Sequence, residues 1–225
     1  PSPSAATSSG SAYVFRTTNG GDKDDDAGSK TGSAYVFRTT NDGASWTLTA
    51  KLVASDAAKD NYFGKSVAIS GDLVVVGAPY ENAGGSNSGS AYVFRTTNSG
   101  ASWTQTTRLV ASDAMAGDRL GNAKSAIAMS GNLVIIGAMF KRVPDGDGGK
   151  ETLGSACVFR TMDGGASWTQ TANLVASDAE EYDRFGSSVA ISGDLIVVGA
   201  PGNDDAGADS GSAYFFRTTN GGASW

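Results

Sequence analysis

The sequence contains no histidine and only one cysteine among its 225 residues. The absence of histidine removes the commonest general base at neutral pH and the commonest ligand of transition metals. Cys157 has no partner for an internal disulfide. It stands where related segments of the chain carry tyrosine, which favours a packing role over a reactive thiol. No apolar run approaches the ~18 residues that a membrane-spanning helix needs.

Basic residues are scarcer than acidic ones, with 17 Lys and Arg against 23 Asp and Glu, so the net charge is -6. A nucleic-acid partner requires a basic face, and this charge therefore argues against one. The same charge fits an extracellular protein or a cation binder. With 31 glycines and 40% apolar residues, the composition is not that of a disordered chain. The length is sufficient for one large β domain with a sizeable core.

An internal repeat dominates the sequence. The segment Gly-Ser-Ala-Tyr-Val-Phe starts at Gly32 and Gly89 and returns in variant form at Gly154 and Gly211, so the copies lie 57, 65 and 57 residues apart. Ser-Trp pairs keep the same spacing, and their tryptophans are Trp46, Trp103, Trp168 and Trp225. Self-similarity at such a period is typical of repeat architectures.

Each full period predicts four β-strands. In the second copy these are residues 66–70, 73–78, 90–95 and 103–110, separated by glycine-rich turns. The continuous apolar run 73–78 indicates a strand covered on both faces, whereas 103–110 alternates between polar and apolar residues. A four-stranded unit of this length is typical of propeller blades, which bury their faces only against neighbours. We therefore predict an all-β fold: a β-propeller, or partial propeller, of four-stranded antiparallel blades.

The predicted blades occupy residues 32–225. Residues 1–31 form an irregular N-terminal segment with a truncated repeat, since a third-strand copy at residues 10–15 precedes Gly32 too closely for a whole period. The strands total fourteen, or three and a half blades, whereas a propeller needs about four. The chain is therefore a fragment, closes in an unusual way, or pairs with another copy of itself.

A second motif adds a family resemblance. Phe63-Gly64 is followed by Gly77-Ala78-Pro79, and the last copy repeats this with Phe185-Gly186 and 199–201. The pattern resembles the FG-GAP repeat, the blade unit of the integrin α-subunit propeller and of many secreted proteins. The middle copy, with Leu120-Gly121, is degenerate. The resemblance implies structural roles, with the glycines in tight turns or at close backbone approaches.

The segment 39–46, which ends at Trp46, resembles the Asp-box of sialidases and other propellers, and it recurs once in each copy. A side chain such as Asn98 or Asp163 can accept hydrogen bonds from amides of its own loop, and the tryptophan can anchor the hairpin. In those families the box is structural, so it supports the fold and not an activity.

Acidic residues point to calcium as a candidate cofactor. The calcium loop that the family often carries is absent, because the 70–72 turn has too few oxygens to surround an ion. Carboxylates and amides alternate instead in the next loop, a pattern that suits calcium but also fits solvated turns. The predicted metal ligands are Asp22, Asp24, Asp26, Asp145, Asp147, Glu151, Asn203, Asp205 and Asp209.

The linkers between blades carry further recurring aspartates. They are Asp56 in the first linker, Asp113 and Asp118 in the second, and Asp178 and Asp183 in the third. Turn capping and backbone hydrogen bonding explain them better than ligand binding does.

Nothing in the sequence singles out a catalytic constellation, so we predict a protein that is not an enzyme. The preferred function is an extracellular or cell-surface repeat protein for adhesion, matrix or surface-filament assembly, with calcium as a candidate aid. Its partner is a protein, a glycan or another copy of the chain. The alternative is a carbohydrate-binding propeller in which Tyr62, Tyr80 or Tyr182 stacks on sugars. A sialidase-like glycosidase is less favoured, since no carboxylate pair stands out.

Overall fold

The computed structural model describes residues 13–17, 30–39, 41, 43–144 and 150–225, and every regular element there is a β-strand. In this part of the chain, no helix has the length and apolar character to cross a bilayer. The strands are β1 (Tyr13–Thr17), β2 (Ala34–Arg38), β3 (Thr47–Leu52), β4 (Val67–Ser70), β5 (Leu73–Ala78), β6 (Ser90–Arg95), β7 (Thr104–Leu109), β8 (Ile127–Ser130), β9 (Leu133–Ala138), β10 (Arg142–Pro144), β11 (Lys150–Thr152), β12 (Ser155–Arg160), β13 (Thr169–Leu174), β14 (Ser188–Ser192), β15 (Leu195–Ala200) and β16 (Ser212–Arg217).

Fourteen of these strands form four antiparallel sheets, which we call blades 1 to 4. Blade 1 has the order β1-β2-β3, blade 2 β4-β5-β6-β7, blade 3 β8-β9-β12-β13 and blade 4 β14-β15-β16. In blades 1 to 3, a β-bulge follows the same valine of the third strand: Val36, Val93 and Val158. The predicted all-β class with four-stranded antiparallel blades is confirmed, and the described sheets form a partial propeller.

Two elements differ from the regular blade. Strand β1 carries a third-strand sequence but occupies the second-strand position, where Val14 lies opposite Phe37 and Phe15 opposite Val36. Because side chains alternate with a period of two, a strand of this sequence fits either position without mixing its two faces. In blade 3, the lengthened loop forms its own hairpin of β10 and β11, with Val143 opposite Glu151.

The hydrophobic core lies between the blades. Along β5, Val74 and Val76 pack towards blade 1, while Leu73 and Val75 pack towards blade 3. The same alternation recurs in β9, where Leu133 and Ile135 pack towards blade 4. Each of these strands is buried on both faces, as the continuous apolar runs predicted.

The motif glycines join one blade to the next. A Cβ built on Gly137 of blade 3 would lie 1.9 Å from the carbonyl oxygen of Gly186, which opens blade 4. One interface earlier, the Ser66 hydroxyl donates a hydrogen bond to the Gly121 carbonyl oxygen at 2.7 Å, beside Gly77. The close backbone approach that the sequence predicted for these glycines is confirmed.

Candidate functional site

In the acidic loop of blade 4, side-chain oxygens accept hydrogen bonds mainly from the loop itself and from the strand that follows it. The amide oxygen of Asn203 accepts hydrogen bonds from the Asp205 backbone at 3.3 Å and from the Ser212 hydroxyl at 2.7 Å. Asp204 accepts one from the Asp209 amide at 2.6 Å. Asn203 is buried, whereas the side chains of Asp205 and Asp209 are exposed. The loop therefore brings Asn203 inward and leaves the two predicted carboxylates at the surface.

The equivalent loop of blade 2 is built in the same way, although it has fewer acids. Asn82 accepts a hydrogen bond from the Asn87 amide at 2.7 Å, and Glu81 accepts one from the Ala83 amide at 2.9 Å. An amide or carboxylate at the place of Asn82 and Asp204 is thus a turn-forming residue, a role that the sequence analysis missed.

Of the other predicted metal ligands, five lie outside the described residues: Asp22, Asp24, Asp26, Asp145 and Asp147. Glu151 is described only as part of the β11 backbone. Within the described ranges, no group of three or more Asp, Glu or Cys side chains is placed to hold a metal ion. Calcium binding by the acidic loops stays a prediction.

A buried ionic cluster joins the second linker to blade 3. The Lys141 ammonium lies 2.9 Å from Asp118 and 3.2 Å from Asp113, and the side chains of Lys141 and Asp118 are only 5% and 3% exposed. Asp118 also accepts hydrogen bonds from the amides of Met115 and Arg142. We call this cluster, which includes Cys157 and Asn173, the blade-3 node.

Equivalent clusters, which we also call nodes, hold the linkers of blades 2 and 4. Their charges differ from those of the blade-3 node. In blade 2, Arg108 lies 2.8 Å from Asp56 and 3.2 Å from Glu81, which takes the place of Lys141. In blade 4 the node is uncharged on the loop side, and the Tyr214 hydroxyl donates to Asp178 at 2.8 Å. The predicted backbone hydrogen bonding is confirmed for Asp118 and Asp183, which accept bonds from backbone amides. Asp56, Asp113 and Asp178 instead contact the side chains of Arg108, Lys141 and Tyr214. Positions 81, 141 and 203 are equivalent in the three copies, and their residues Glu81, Lys141 and Asn203 differ in charge.

Cys157 lies within the blade-3 node and is fully shielded from solvent. Burial and, to a smaller extent, the negative charge of Asp113 raise the pKa of the thiol to about 12. Because the thiolate is the reactive form, we expect no reaction with a disulfide reagent at neutral pH in the folded protein, and full reaction after unfolding. A Met162→Cys variant is the control, since Met162 is 78% exposed and its replacement should react at once. Rapid labelling of Cys157 in the folded chain would contradict its packing role.

The turns before the tryptophans are closed by their own polar side chains. In blade 3, Asp163 accepts hydrogen bonds from the Ser167 amide at 2.8 Å and from the Ser167 hydroxyl at 2.5 Å. The Gly165 amide donates to the Thr161 hydroxyl oxygen at 2.8 Å. Asn98 takes the place of Asp163 in blade 2 and accepts the matching amide bond. The predicted loop-closing role of this position is confirmed.

The Asp163 carboxylate makes this one turn sensitive to pH. Hydrogen bonds from the Ser167 side chain and backbone, and then from Thr161, hold the pKa of Asp163 far below its usual range. A folded-state pKa below the unfolded value of about 3.9 stabilises the fold above that pH, and the gain is lost as the pH falls. We expect acidification to lower the unfolding free energy of the wild-type chain more than that of the Asp163→Asn variant. Urea unfolding at several pH values measures it, and a pH-independent difference would contradict this role.

The tyrosines proposed for sugar stacking have different environments. The rings of Tyr62 and Tyr80 lie 4.9 Å apart, and Arg119 stacks between Tyr80 and Phe140 at 5.2 and 5.0 Å. Tyr182, by contrast, is 63% exposed. Of the three, Tyr182 presents the most accessible ring.

A cleft of about 430 Å³ lies on the outer side of blade 4. No acidic or basic side chain contributes to it, because its lining consists of Ser187, Ser188, Gly199, Ala200, Pro201, Gly211, Ser212 and Ala213. Gly199 and Ser188 correspond to Gly77 and Ser66, which in blade 2 receive the Gly121 turn of the next blade. The cleft therefore corresponds to the surface on which blade 2 contacts the Gly121 turn of blade 3, and on which blade 3 contacts the Gly186 turn of blade 4.

Comparison with known proteins identifies the family. A model of the FG-GAP repeat matches residues 46–94, 103–159 and 168–216, which together make up more than half of the chain. The chain therefore belongs to the FG-GAP repeat family. No curated protein matches the sequence.

Among solved structures, the chain is similar to one described as "Trypanosoma rangeli sialidase in complex with sialic acid", with a TM-score of 0.41 and 12% sequence identity. The similarity covers 86% of this chain and 32% of the sialidase chain. The chain thus spans about a third of the length of that structure. Binding of sialic acid is a property of that protein.

Proposed function

We propose that this chain is a non-enzymatic extracellular repeat protein for adhesion, matrix or surface-filament assembly. The observation that best supports the proposal is the structural role of the recurring polar residues. Turn residues such as Asp163 close their own hairpins, and linker residues such as Asp118 hold a linker to its blade. A protein built of like blades presents like surfaces side by side, and such surfaces suit multivalent contact. FG-GAP repeats are also typical of extracellular proteins.

The cleft on blade 4 lacks the groups that a glycosidase uses. A glycosidase needs two carboxyl groups about 5–10 Å apart in a pocket. The cleft is lined by serine, glycine, alanine and proline and contains no group for acid–base work.

Adhesion is tested with beads that carry the folded chain. We expect the beads to adhere to extracellular matrix and to be displaced by an excess of the soluble chain, because displacement requires a saturable site. Beads that carry the heat-unfolded chain are the control. Adhesion that is absent, or equal for folded and unfolded chain, would contradict the proposal.

Calcium is tested separately. If the acidic loop around Asp205 and Asp209 binds calcium, the ion should raise the melting temperature, and a chelator should reverse the gain, since a ligand that binds only the folded state stabilises it. Asp205→Asn combined with Asp209→Asn should abolish the shift. A melting temperature that is the same with calcium and with chelator removes calcium from the proposal and leaves adhesion standing.

A carbohydrate-binding role is the second candidate, and the exposure of Tyr182 beside Glu180 and Glu181 favours it. An exposed aromatic ring next to hydrogen-bonding groups suits the apolar face of a sugar and its hydroxyls. A glycan array should give hits that Tyr182→Ala abolishes and Tyr182→Phe retains. An array without hits would count against this candidate.

A further inference from the structure

Three aromatic rings and one guanidinium group form a continuous row where two linkers meet blades 2 and 3. Tyr62 and Arg119 come from the linkers, and Tyr80 and Phe140 follow strands β5 and β9 by two residues. The rings of Tyr62 and Tyr80 lie 4.9 Å apart. The Arg119 guanidinium lies 5.2 Å from the Tyr80 ring and 5.0 Å from the Phe140 ring. All four residues are half-buried, so part of each stays accessible. We call these four residues the cation–π row.

The Arg119 guanidinium has no anionic partner among the described residues. Arg108 lies 2.8 Å from Asp56 and Lys141 lies 2.9 Å from Asp118, whereas no described carboxylate lies within 4 Å of Arg119. The Nε atom of Arg119 is buried and also lacks a hydrogen-bond partner there. Contact with the two rings holds the guanidinium in place but does not cancel its charge. The row therefore presents a fixed positive charge that the described protein groups do not use.

The stretch of sequence that contains this arginine is basic, although the whole chain is acidic. Residues 119–144 include no Asp or Glu, and their four basic residues are Arg119, Lys124, Lys141 and Arg142. Asn132 replaces the aspartate that the matching turns of blades 2 and 4 carry. Lys124 and Arg142 are exposed, and the Cζ of Arg142 lies 4.0 Å from a Cβ built on Gly117 in the linker of Arg119. Such a local excess of cations attracts an anionic ligand.

We propose that the cation–π row binds the carboxylate groups of an acidic polysaccharide, and that Arg119 is the residue that receives a carboxylate. A guanidinium binds a carboxylate through two parallel hydrogen bonds. Tyr80 and Phe140 already orient this guanidinium, which lowers the entropy that binding costs. The inference deepens the adhesion role proposed above and rests on it, because it names the chemical class of a matrix partner.

A polysaccharide fits this row better than an acidic peptide does. A polymer of uronic acids repeats one sugar ring and one carboxylate along its length. It can therefore place a ring against an aromatic side chain while a carboxylate meets Arg119. An extended peptide binds best along a free strand edge, where its main chain adds a strand. The four residues of the row lie in linkers and turns and outside the strands.

Polygalacturonate and its fully methyl-esterified form are the probes, and isothermal titration calorimetry measures their binding. The ester keeps the sugar rings and removes the charges, so the wild-type chain should bind polygalacturonate and not the ester. Added salt should weaken the binding, because it screens exposed charges. Arg119→Gln should weaken it about tenfold or more, since hydrogen bonds between charged groups are the strong ones. Arg119→Lys should restore only part of the affinity, because lysine keeps the charge but lacks the planar fork.

Arg184→Gln is the matched control. Arg184 occupies the place of Arg119 in the next linker, but Gly202 stands where blades 2 and 3 have Tyr80 and Phe140. Among the described residues, no aromatic ring stacks on the Arg184 guanidinium. Arg184→Gln should therefore bind polygalacturonate like the wild type. If Arg119→Gln fails to fold, the comparison of polymer and ester still tests the proposal, since it uses the wild-type chain.

A wild-type chain that ignores polygalacturonate, or that binds the ester equally well, would overturn the inference. Equal affinities of Arg119→Gln and Arg184→Gln would overturn it too. Tighter binding of poly-L-glutamate than of polygalacturonate would make the ligand an acidic peptide and refute the choice of a polysaccharide. Failure of the inference is distinguishable from failure of the proposed function, because the bead assay offers a whole matrix. A chain that adheres there but ignores polygalacturonate would refute only this partner.

Discussion

Gly137→Ala should lower the stability of the protein by about 3 kcal/mol or more, the upper end of the range for overpacking a core. The added Cβ would stand 1.9 Å from the carbonyl oxygen of Gly186 and 2.8 Å from its carbonyl carbon. These are backbone atoms of the next blade, so no side-chain rotation relieves the clash and blade 4 must move away from blade 3. For a chain of this size the loss corresponds to a fall of about 6–12 °C in melting temperature.

Gly199→Ala is the matched control, because Gly199 occupies the same place in blade 4. There the nearest atom to the added Cβ is the Ser188 hydroxyl oxygen at 2.5 Å, with nothing else closer than 3.8 Å. A serine side chain can rotate, so the loss should be about 1 kcal/mol or less. Thermal unfolding of both variants measures the difference. Equal melting temperatures would contradict the role of Gly137 in joining the blades.

Lys141→Met should destabilise the chain by about 3–5 kcal/mol, the usual result of removing one partner of a buried ion pair. The Asp118 carboxylate would remain buried without its cation, although two backbone amides still donate to it. Methionine keeps most of the volume of lysine, so the loss reports the charge and not a cavity. Urea unfolding at pH 7, with the slope checked against the wild type, gives the free energy.

The double variant Lys141→Met with Asp118→Asn separates charge from packing. An asparagine already occupies the place of Asp118 in the preceding linker, where Asn61 is buried, so the amide fits that position. The double variant should recover most of the stability that Lys141→Met loses, because a neutral amide costs less to bury than a carboxylate. If the single variant loses less than about 1 kcal/mol, the value of an exposed pair, the interpretation of the node as a buried ion pair is wrong.

Most of the fold could be predicted from the sequence because the repeat encodes it locally. The run from Leu73 to Ala78 is apolar at nearly every position, and its short length between two turns is typical of a strand covered on both faces. The glycines of the FG-GAP motif marked the contact between blades, and the structure places Gly137 against Gly186.

The nodes were harder to predict, because their members come from three separate stretches of the chain. Lys141 differs from the Glu and Asn of its sister positions, and within one sequence this looks like drift in an irregular repeat. Only the folded linker brings Asp118 next to it. The position of β1 could not be predicted, since its sequence repeats the third strand of a blade whereas its pairing places it beside β2 as the second.

The near-identity of the strands affects how the chain reaches its native state. Strands of nearly the same sequence in every blade can exchange places during folding, and repeat proteins misassemble in this way. The nodes oppose such exchange. If the Glu81 loop docked on the linker that contains Asp118, two carboxylates would meet away from water, and like charges together cost several kcal/mol. The negative charge of Glu81 therefore disfavours docking of its loop on the linker of blade 3, whereas Lys141 matches the charge of that linker.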